Sequence, residues 1–176
     1  IGRLEKQKNF EELIKGFSNT DIEIDLIGSG SSEENLKKLA KKFNTKVNFL
    51  GTFSNNELLS IYKNYKYYVS TSNFEGNSKT LLEALSSGCI VYVKNIPNNL
   101  EIITDKVNGF LYSEKFDYEK FEIIKNYDNS TLEKISNSGV NLINSIYSVD
   151  KLLEIEYKNY LSLKKSGQCS SLIRLH

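Results

Sequence analysis

The chain has 176 residues, 39% hydrophobic and 26% charged, with 23 basic and 22 acidic side chains and a formal charge of +1. That length suits one domain with a real core, about two-thirds of the unfolded surface being buried at this size, which excludes a disordered polymer, while so even a charge carries no footprint of a nucleic-acid or membrane-surface binder. Two distant cysteines, Cys89 and Cys169, exclude a disulfide framework or a zinc site and fit a reducing compartment, and the single histidine, His176, leaves no histidine base within the chain.

Ile1-Gly2-Arg3-Leu4 reads as the tail of a strand whose beginning is missing, and with no initiator methionine the chain is expected to be processed or cut from something longer. Phe10, Leu13, Ile14 and Phe17 recur at helical spacing, so residues 9–18 form a helix. Residues 22–27 are a short isoleucine-rich strand that runs into the glycine turn Gly28-Ser29-Gly30. Ser31 followed by Glu34 reads as a capping box, opening a helix through Leu36, Leu39, Ala40 and Phe43. Residues 47–50 read as a buried strand ending at Gly51. Ser54 and Glu57 form a second capping box, for a helix through Leu58, Ile61 and Tyr62. A strand at 67–70 leads through a loop to a helix over 78–87, then a strand over 90–93 and a short strand over 109–112. From about residue 130 to 163 the chain is helical, with a break near 147–150, and the aperiodic end, 164–176, is expected to fray.

Short apolar strands alternating with amphipathic helices argue for βαβ units, hence an α/β fold with a doubly wound parallel sheet. Ligands of such sheets bind outside the carboxyl ends of the strands. That rule nominates residues 3–8, 28–31, 51–55 and 72–80. No run reaches the roughly 20 apolar residues of a membrane span, and no signal peptide is evident. Cys89 is assigned to the core, and Tyr62, Tyr65, Tyr67 and Tyr68 to core and rim.

The strongest local signal is the run from Asn73 and Phe74 through Glu75, Gly76, Asn77, Ser78, Lys79 and Thr80 to Leu81, Leu82 and Glu83. It joins a strand end to a helix start. Gly76 permits a tight backbone, and Asn77 and Ser78 are natural caps. The N–H groups of that first turn offer an anion site. Glu75 sits just ahead of the helix. Glu83 lies in an apolar stretch, where a carboxylate is costly without a partner, and a pair of sugar hydroxyls is one economical partner. Arg3 and Lys8 flank the first loop and could grip a diphosphate. Gly28 and Gly30 let backbone approach a ligand closely. The set matches a nucleoside diphosphate carrying a sugar.

These residues resemble the C-terminal, donor-binding domain of GT-B-fold glycosyltransferases, specifically glycosyltransferase family 4. The matching features, in order, are Gly2-Arg3-Leu4 with Gln7-Lys8, Leu26-Ile27-Gly28-Ser29-Gly30, Val47-Asn48-Phe49-Leu50-Gly51, Glu75-Gly76 through Leu81-Leu82-Glu83-Ala84, Gly88, and Asn108-Gly109-Phe110-Leu111. Glu75 and Glu83 stand at the E-x7-E spacing of that family. The resemblance implies a Rossmann-like nucleotide-sugar domain over 1–163, whose last helices cross back toward an N-terminal acceptor domain that lies outside this chain. Arg3 and Lys8 would hold the donor's diphosphate and stabilise the departing nucleotide, with help from amides between Asn77 and Thr80. Glu75 would contact the transferred sugar, Glu83 the ribose, and Thr52 and Phe53 the base.

The family retains anomeric configuration and needs no metal, so no cofactor is expected beyond a UDP- or GDP-sugar donor. The acceptor would be a glycan or lipid-linked sugar read by the N-terminal domain, which would also bring the enzyme from the cytoplasm to the inner face of the membrane. Where the family carries a Gly-Leu-Pro-like run, this chain has Asn77-Ser78-Lys79-Thr80, which leaves the sugar open and adds Lys79 as a phosphate contact. This chain alone is expected to turn over little. Apolar faces around Leu152, Leu153, Ile155 and Tyr157 would fold back or self-associate. Two alternatives stand beside this reading: one half of a nucleotide-sugar epimerase or hydrolase, and a non-catalytic docking module.

Overall fold

The computed structural model of the chain describes residues 1–76, 78–146 and residue 157. Runs of isoleucine, valine, phenylalanine and tyrosine fit a pleated, buried surface. Among the described residues they give β1 (Glu23–Ile27), β2 (Lys46–Gly51), β3 (Tyr67–Ser70), β4 (Ile90–Lys94) and β5 (Phe110–Tyr112). Every ladder between them is parallel. β1 pairs with β2 from Glu23 opposite Lys46 to Ile27 opposite Gly51, with an irregularity between Leu26 and Ile27. β3 pairs with β4 from Tyr67 opposite Ile90 to Ser70 opposite Val93. β4 pairs with β5 from Tyr92 opposite Phe110 to Lys94 opposite Tyr112. The spatial orders are β2-β1 and β3-β4-β5, and among the described residues no ladder joins β1 to β3.

A 3-10 turn at Lys6–Lys8 precedes helix α1 (Phe10–Gly16), and α2 (Glu33–Lys42), α3 (Asn55–Tyr62) and α4 (Lys79–Ser86) follow. After β4 come α5 (Pro97–Leu100), α6 (Tyr118–Lys125) and α7 (Asn129–Ile146). The double winding is visible in β4, whose side chains alternate between two cores. Ile90 and Tyr92 pack with Phe10 and Leu13 of α1, Leu36 of α2 and Phe121 of α6. Val91 and Val93 pack with Tyr62 of α3 and Leu81 and Leu85 of α4. Helices therefore cover both faces of a parallel sheet, as the strand–helix alternation predicts.

The capping box at Ser54 forms, with the Ser54 side chain accepting from the Glu57 N–H and the Glu57 carboxylate accepting in return. The one at Ser31 does not. Helix α2 begins after Ser32 with no side-chain cap, because Ser31 is drawn to a distant partner, the Glu5 carboxylate. β2 is not a buried strand: it pairs on one edge only and leaves Leu50 exposed. The sequence reading also leaves out α5 and α6. α6 is held by tertiary contacts, since Phe121 rests edge-on against Phe17, the residue that caps the end of α1, at 5.2 Å between ring centroids. Burial of Phe121 and Ile124 contributes about 2 kcal/mol each, more than the local periodicity of so short a segment advertises. The expected break at 147–150, the further helix with its self-associating face at residues 152, 153 and 155, and the tail at 164–176 all lie outside the described residues.

Candidate functional site

The strand ends and the loops that leave them are stitched into one crevice wall by hydrogen bonds between segments far apart in sequence. Gly2 and Leu4 donate their N–H groups to Ile27 and Ser29 carbonyls at 2.9 Å each. Glu5 accepts from the Ser31 N–H at 3.2 Å and from its hydroxyl at 3.0 Å, which holds the Glu5 carboxyl below the usual carboxylate range. Gly28 N–H reaches Gly51 O, tying in the loop that carries Thr52 and Phe53. Both of these side chains are exposed.

The loop after β3 is fastened to the 3-10 turn at Lys6–Lys8. Asn73 N–H bonds to Gln7 O at 3.1 Å, and the Gln7 amide returns a bond to Phe74 O at 2.8 Å. Thr71 donates its hydroxyl to the Lys8 and Asn9 carbonyls. From the other side Lys94, at the carboxyl end of β4, reaches Asn73 Oδ1 at 2.8 Å and Glu12 at 3.4 Å. Asn98 donates to Gly76 O at 2.9 Å. This scaffold brings Lys8 and Glu75 together: Nζ lies 2.6 Å from Oε1, with side chains only 18% and 8% exposed. A pair so shielded gains more from Coulomb attraction than a surface pair.

Helix α4 starts at Lys79, after Ser78. Ser78 is buried, but its side chain makes no capping bond, contrary to its expected role. Among the described residues the Lys79 and Thr80 N–H groups have no acceptor, while those of Leu81 and Leu82 go to Ser78 O. The first turn thus offers amides for an anion. Thr80 has its hydroxyl committed to Tyr68 OH at 2.9 Å, and burial pushes the Tyr68 phenol up to about 12, so it stays a neutral partner. Glu83, one helical turn on, is 13% exposed in its side chain, with Tyr62 OH at 3.3 Å and the exposed Lys79 ammonium at 3.5 Å. Lys79 also reaches Asn55 Oδ1, linking α4 to the start of α3. Asn77 lies outside the described residues.

The glycines divide. A Cβ on Gly28 would stand 1.9 Å from Gly2 O, and one on Gly30 2.5 Å from Leu4 O. The close approach they permit in this structure is to the chain's own backbone. Gly76 is the reverse. It has no positive φ, and a Cβ there would meet nothing within 4 Å, so no tight backbone demands glycine at this point and the space before it is open.

Lys8, Glu75, Lys79, Thr80 and Glu83 therefore meet in one stretch of wall, with exposed Arg3 on the same loop as Lys8. Glu5, Lys94 and Asn98, which sequence reasoning passed over, position them together with Gln7, Tyr62 and Tyr68, to which it gave no positioning role. Only partners distant in sequence give these residues a role, so no local spacing could have found them. The arrangement can neutralise a diphosphate with ammonium, guanidinium and amides, and can accept hydrogen bonds from two polyols at two carboxylates. Among the described residues no group of three or more His, Cys, Asp or Glu converges to hold a metal ion, and no helix is long and apolar enough to cross a membrane.

A sequence family described as "Glycosyl transferases group 1" matches residues 1–131. Among curated relatives, the N-acetylgalactosamine-N,N'-diacetylbacillosaminyl-diphospho-undecaprenol 4-alpha-N-acetylgalactosaminyltransferase of Campylobacter jejuni is 31% identical over 163 residues, covering 90% of this chain and 39% of the relative. The crystal structure of the catalytic domain of cholesterol-alpha-glucosyltransferase from Helicobacter pylori superposes with a TM-score of 0.72 at 30% identity, covering 84% of this chain and 96% of that one. Anabaena HepE in complex with UDP superposes with a TM-score of 0.83 at 19% identity, over 93% of this chain and 48% of that one. The first curated relatives are longer than this chain, which spans 22% of one and 47% of the next.

Proposed function

Since this chain belongs to the glycosyl transferases group 1 family, we propose that it is the donor-binding half of a retaining, metal-independent hexosyltransferase of glycosyltransferase family 4. The supporting observation is the Lys8–Glu75 pair, joined across 67 residues at 2.6 Å ahead of the first turn of α4. In this reading the donor's diphosphate takes Lys8 and Arg3 as its cations and the Lys79 and Thr80 amides as its donors. Glu75, relieved of part of its pairing, accepts from hydroxyls of the transferred sugar. Glu83 takes the ribose diol, and the loop at Thr52 and Phe53 flanks the base. Uridine is favoured over guanosine by the UDP bound in the HepE neighbour.

The proposed step is departure of the nucleoside diphosphate from the anomeric carbon with attack on the same face. Negative charge then grows on the leaving oxygen, where Lys8 and Arg3 stand to offset it. The attacking hydroxyl of the acceptor gives its proton to the departing diphosphate oxygen, so no side chain of this half of the enzyme has to take one. The acceptor, a glycan or lipid-linked sugar, would be held by a second domain in a longer polypeptide that works at the inner face of the membrane. Calorimetric titration with UDP, GDP and their sugars tests the reading. UDP and a UDP-hexose are expected to bind; a folded sample that binds no nucleoside diphosphate overturns it.

A further inference from the structure

Lys79 breaks two rules of helix formation at once. A cation in the first turn opposes the positive end of the helix dipole, and Lys79 is the first residue of α4, with no acidic residue in that turn to offset it. Its carboxylate partner, Glu83, stands four residues on, and a lysine ahead of a glutamate is the weaker order of such a pair. The Lys79 side chain is 62% exposed, so the ion pair adds little to stability by itself. A residue that the helix does not favour at its own position points to a use outside the helix.

Two uses are open to this ammonium: the phosphate contact expected of it, and a hold on Glu83. The geometry separates them. The amides offered to an anion lie at the leading edge of α4, whereas the ammonium reaches one turn the other way, to Glu83 Oε1 at 3.5 Å. There it is anchored by Asn55 Oδ1 at 3.1 Å, on the first residue of α3. The last residue of α3, Tyr62, reaches the same carboxylate at its other oxygen, with its hydroxyl 3.3 Å from Oε2. Helix α3, which follows directly on the loop of Thr52 and Phe53, thus braces Glu83 from both of its ends. Tyr62 does not hold the carboxylate alone. Its hydroxyl also lies 3.2 Å from Thr80 O, and its single hydrogen is shared between two acceptors. Burial above all pushes this phenol up, so it remains a neutral donor and Lys79 supplies the charged part of the hold.

We propose that Lys79 is a positioning residue that makes the donor site selective for a ribose diol, by fixing the Glu83 carboxylate between Asn55 and Tyr62. An ionised carboxylate has about four acceptor positions. With Lys79 on Oε1 and Tyr62 on Oε2, each oxygen keeps one side for a further donor. The two vacant sides form an adjacent pair, which the neighbouring 2′- and 3′-hydroxyls of a ribose can fill together. Without Lys79 the carboxylate hangs on a shared phenol bond and loses that fixed aim. The selectivity rests on the proposed donor site and divides its labour: Lys8, Arg3 and the first-turn amides meet the diphosphate, while the Lys79 side chain acts on the ribose through Glu83.

The test titrates UDP and 2′,3′-dideoxyuridine diphosphate by calorimetry into the parent chain, Lys79→Met and Lys79→Arg, at low and high salt, and records each melting midpoint. Lys79→Met keeps the length of the side chain and removes its charge. The parent is expected to prefer UDP by about tenfold or more, the scale of hydrogen bonds to a charged group. Lys79→Met is expected to cut that preference to about threefold or less on the same scale, by weakening UDP alone. Lys79→Arg is expected to restore it, and the melting midpoints to stay together because the pair is exposed. An equal loss on both diphosphates, growing as salt falls, identifies a phosphate contact and overturns the proposal. So does a preference unchanged in Lys79→Met, or one that Lys79→Arg fails to restore. A parent that binds neither diphosphate overturns the donor reading and the role of Lys79 with it, whereas UDP binding with any of the preceding outcomes overturns the role of Lys79 alone.

Discussion

Lys8 Nζ sits 2.6 Å from Glu75 Oε1, and this contact closes the first loop of the chain onto the loop after β3. Truncating one member of such a shielded pair leaves the other charge uncompensated, which costs more than the pair itself contributes. Lys8→Met is expected to lower stability by about 2–4 kcal/mol by denaturant titration. Glu75→Gln keeps an acceptor for the ammonium and is expected to cost about 1 kcal/mol. Equal losses in the two variants would show that the carboxylate is not stranded by loss of its lysine.

The two glutamates have different surroundings and so different expected roles. Glu83 is held from below by Tyr62 OH at 3.3 Å, whereas Glu75 faces Lys8. Glu83→Ala is expected to weaken free UDP about tenfold, the scale of hydrogen bonds to a charged group. Glu75→Ala should leave free UDP within about twofold and weaken the UDP-sugar about tenfold on the same scale. Tyr62→Phe, which loosens Glu83 without touching the ligand, should give a smaller loss on UDP. Calorimetry on the three variants decides, and an equal effect of both alanine changes on free UDP contradicts the division.

The Glu5 clamp supplies a pH dependence. Bonds from the Ser31 N–H and then its hydroxyl hold the folded Glu5 carboxyl below the usual range. A carboxyl lowered on folding contributes stability above its unfolded pKa and loses it as pH falls through the folded one. NMR titration of the Glu5 side chain is expected to give a midpoint below that of an ordinary glutamate. Ser31→Ala should raise it toward the ordinary value, and an unchanged midpoint would show that Ser31 is not the cause.

How much of this was legible depends on the range of the interaction. Strand β3 spans the residues its apolar run marked out, and the Ser54–Glu57 box formed because both members sit within one turn. Ser31 with Glu34 carries the same local signature, yet a carboxylate 26 residues away took the serine. Gly28 and Gly30 were recognisable as glycines that matter, but not what they approach, since Gly2 and Leu4 lie on another segment. Lys94 and Asn98 were invisible for the same reason. Local spacing read helices α1 to α4 and the Ser54–Glu57 box; the network that aims the candidate carboxylates is a property of the closed fold.

Gly28 and Gly76 provide the sharpest contrast between scaffold and site. At Gly28 a methyl group would overlap Gly2 O at 1.9 Å, and φ is +138°, a conformation other residues rarely adopt. Gly28→Ala is therefore expected to cost about 3 kcal/mol or more, strain and overlap adding. At Gly76 a methyl group meets nothing within 4 Å, so Gly76→Ala should leave the melting midpoint unchanged within about 0.5 kcal/mol. If the open space before Gly76 is where the sugar diphosphate lies, the same methyl group intrudes on the ligand. UDP-sugar affinity should then fall about tenfold, the scale of overpacking at a fitted contact, in a protein as stable as the parent. A variant that keeps both its stability and full UDP-sugar affinity would move the donor away from this loop, and with it the role assigned to Glu75.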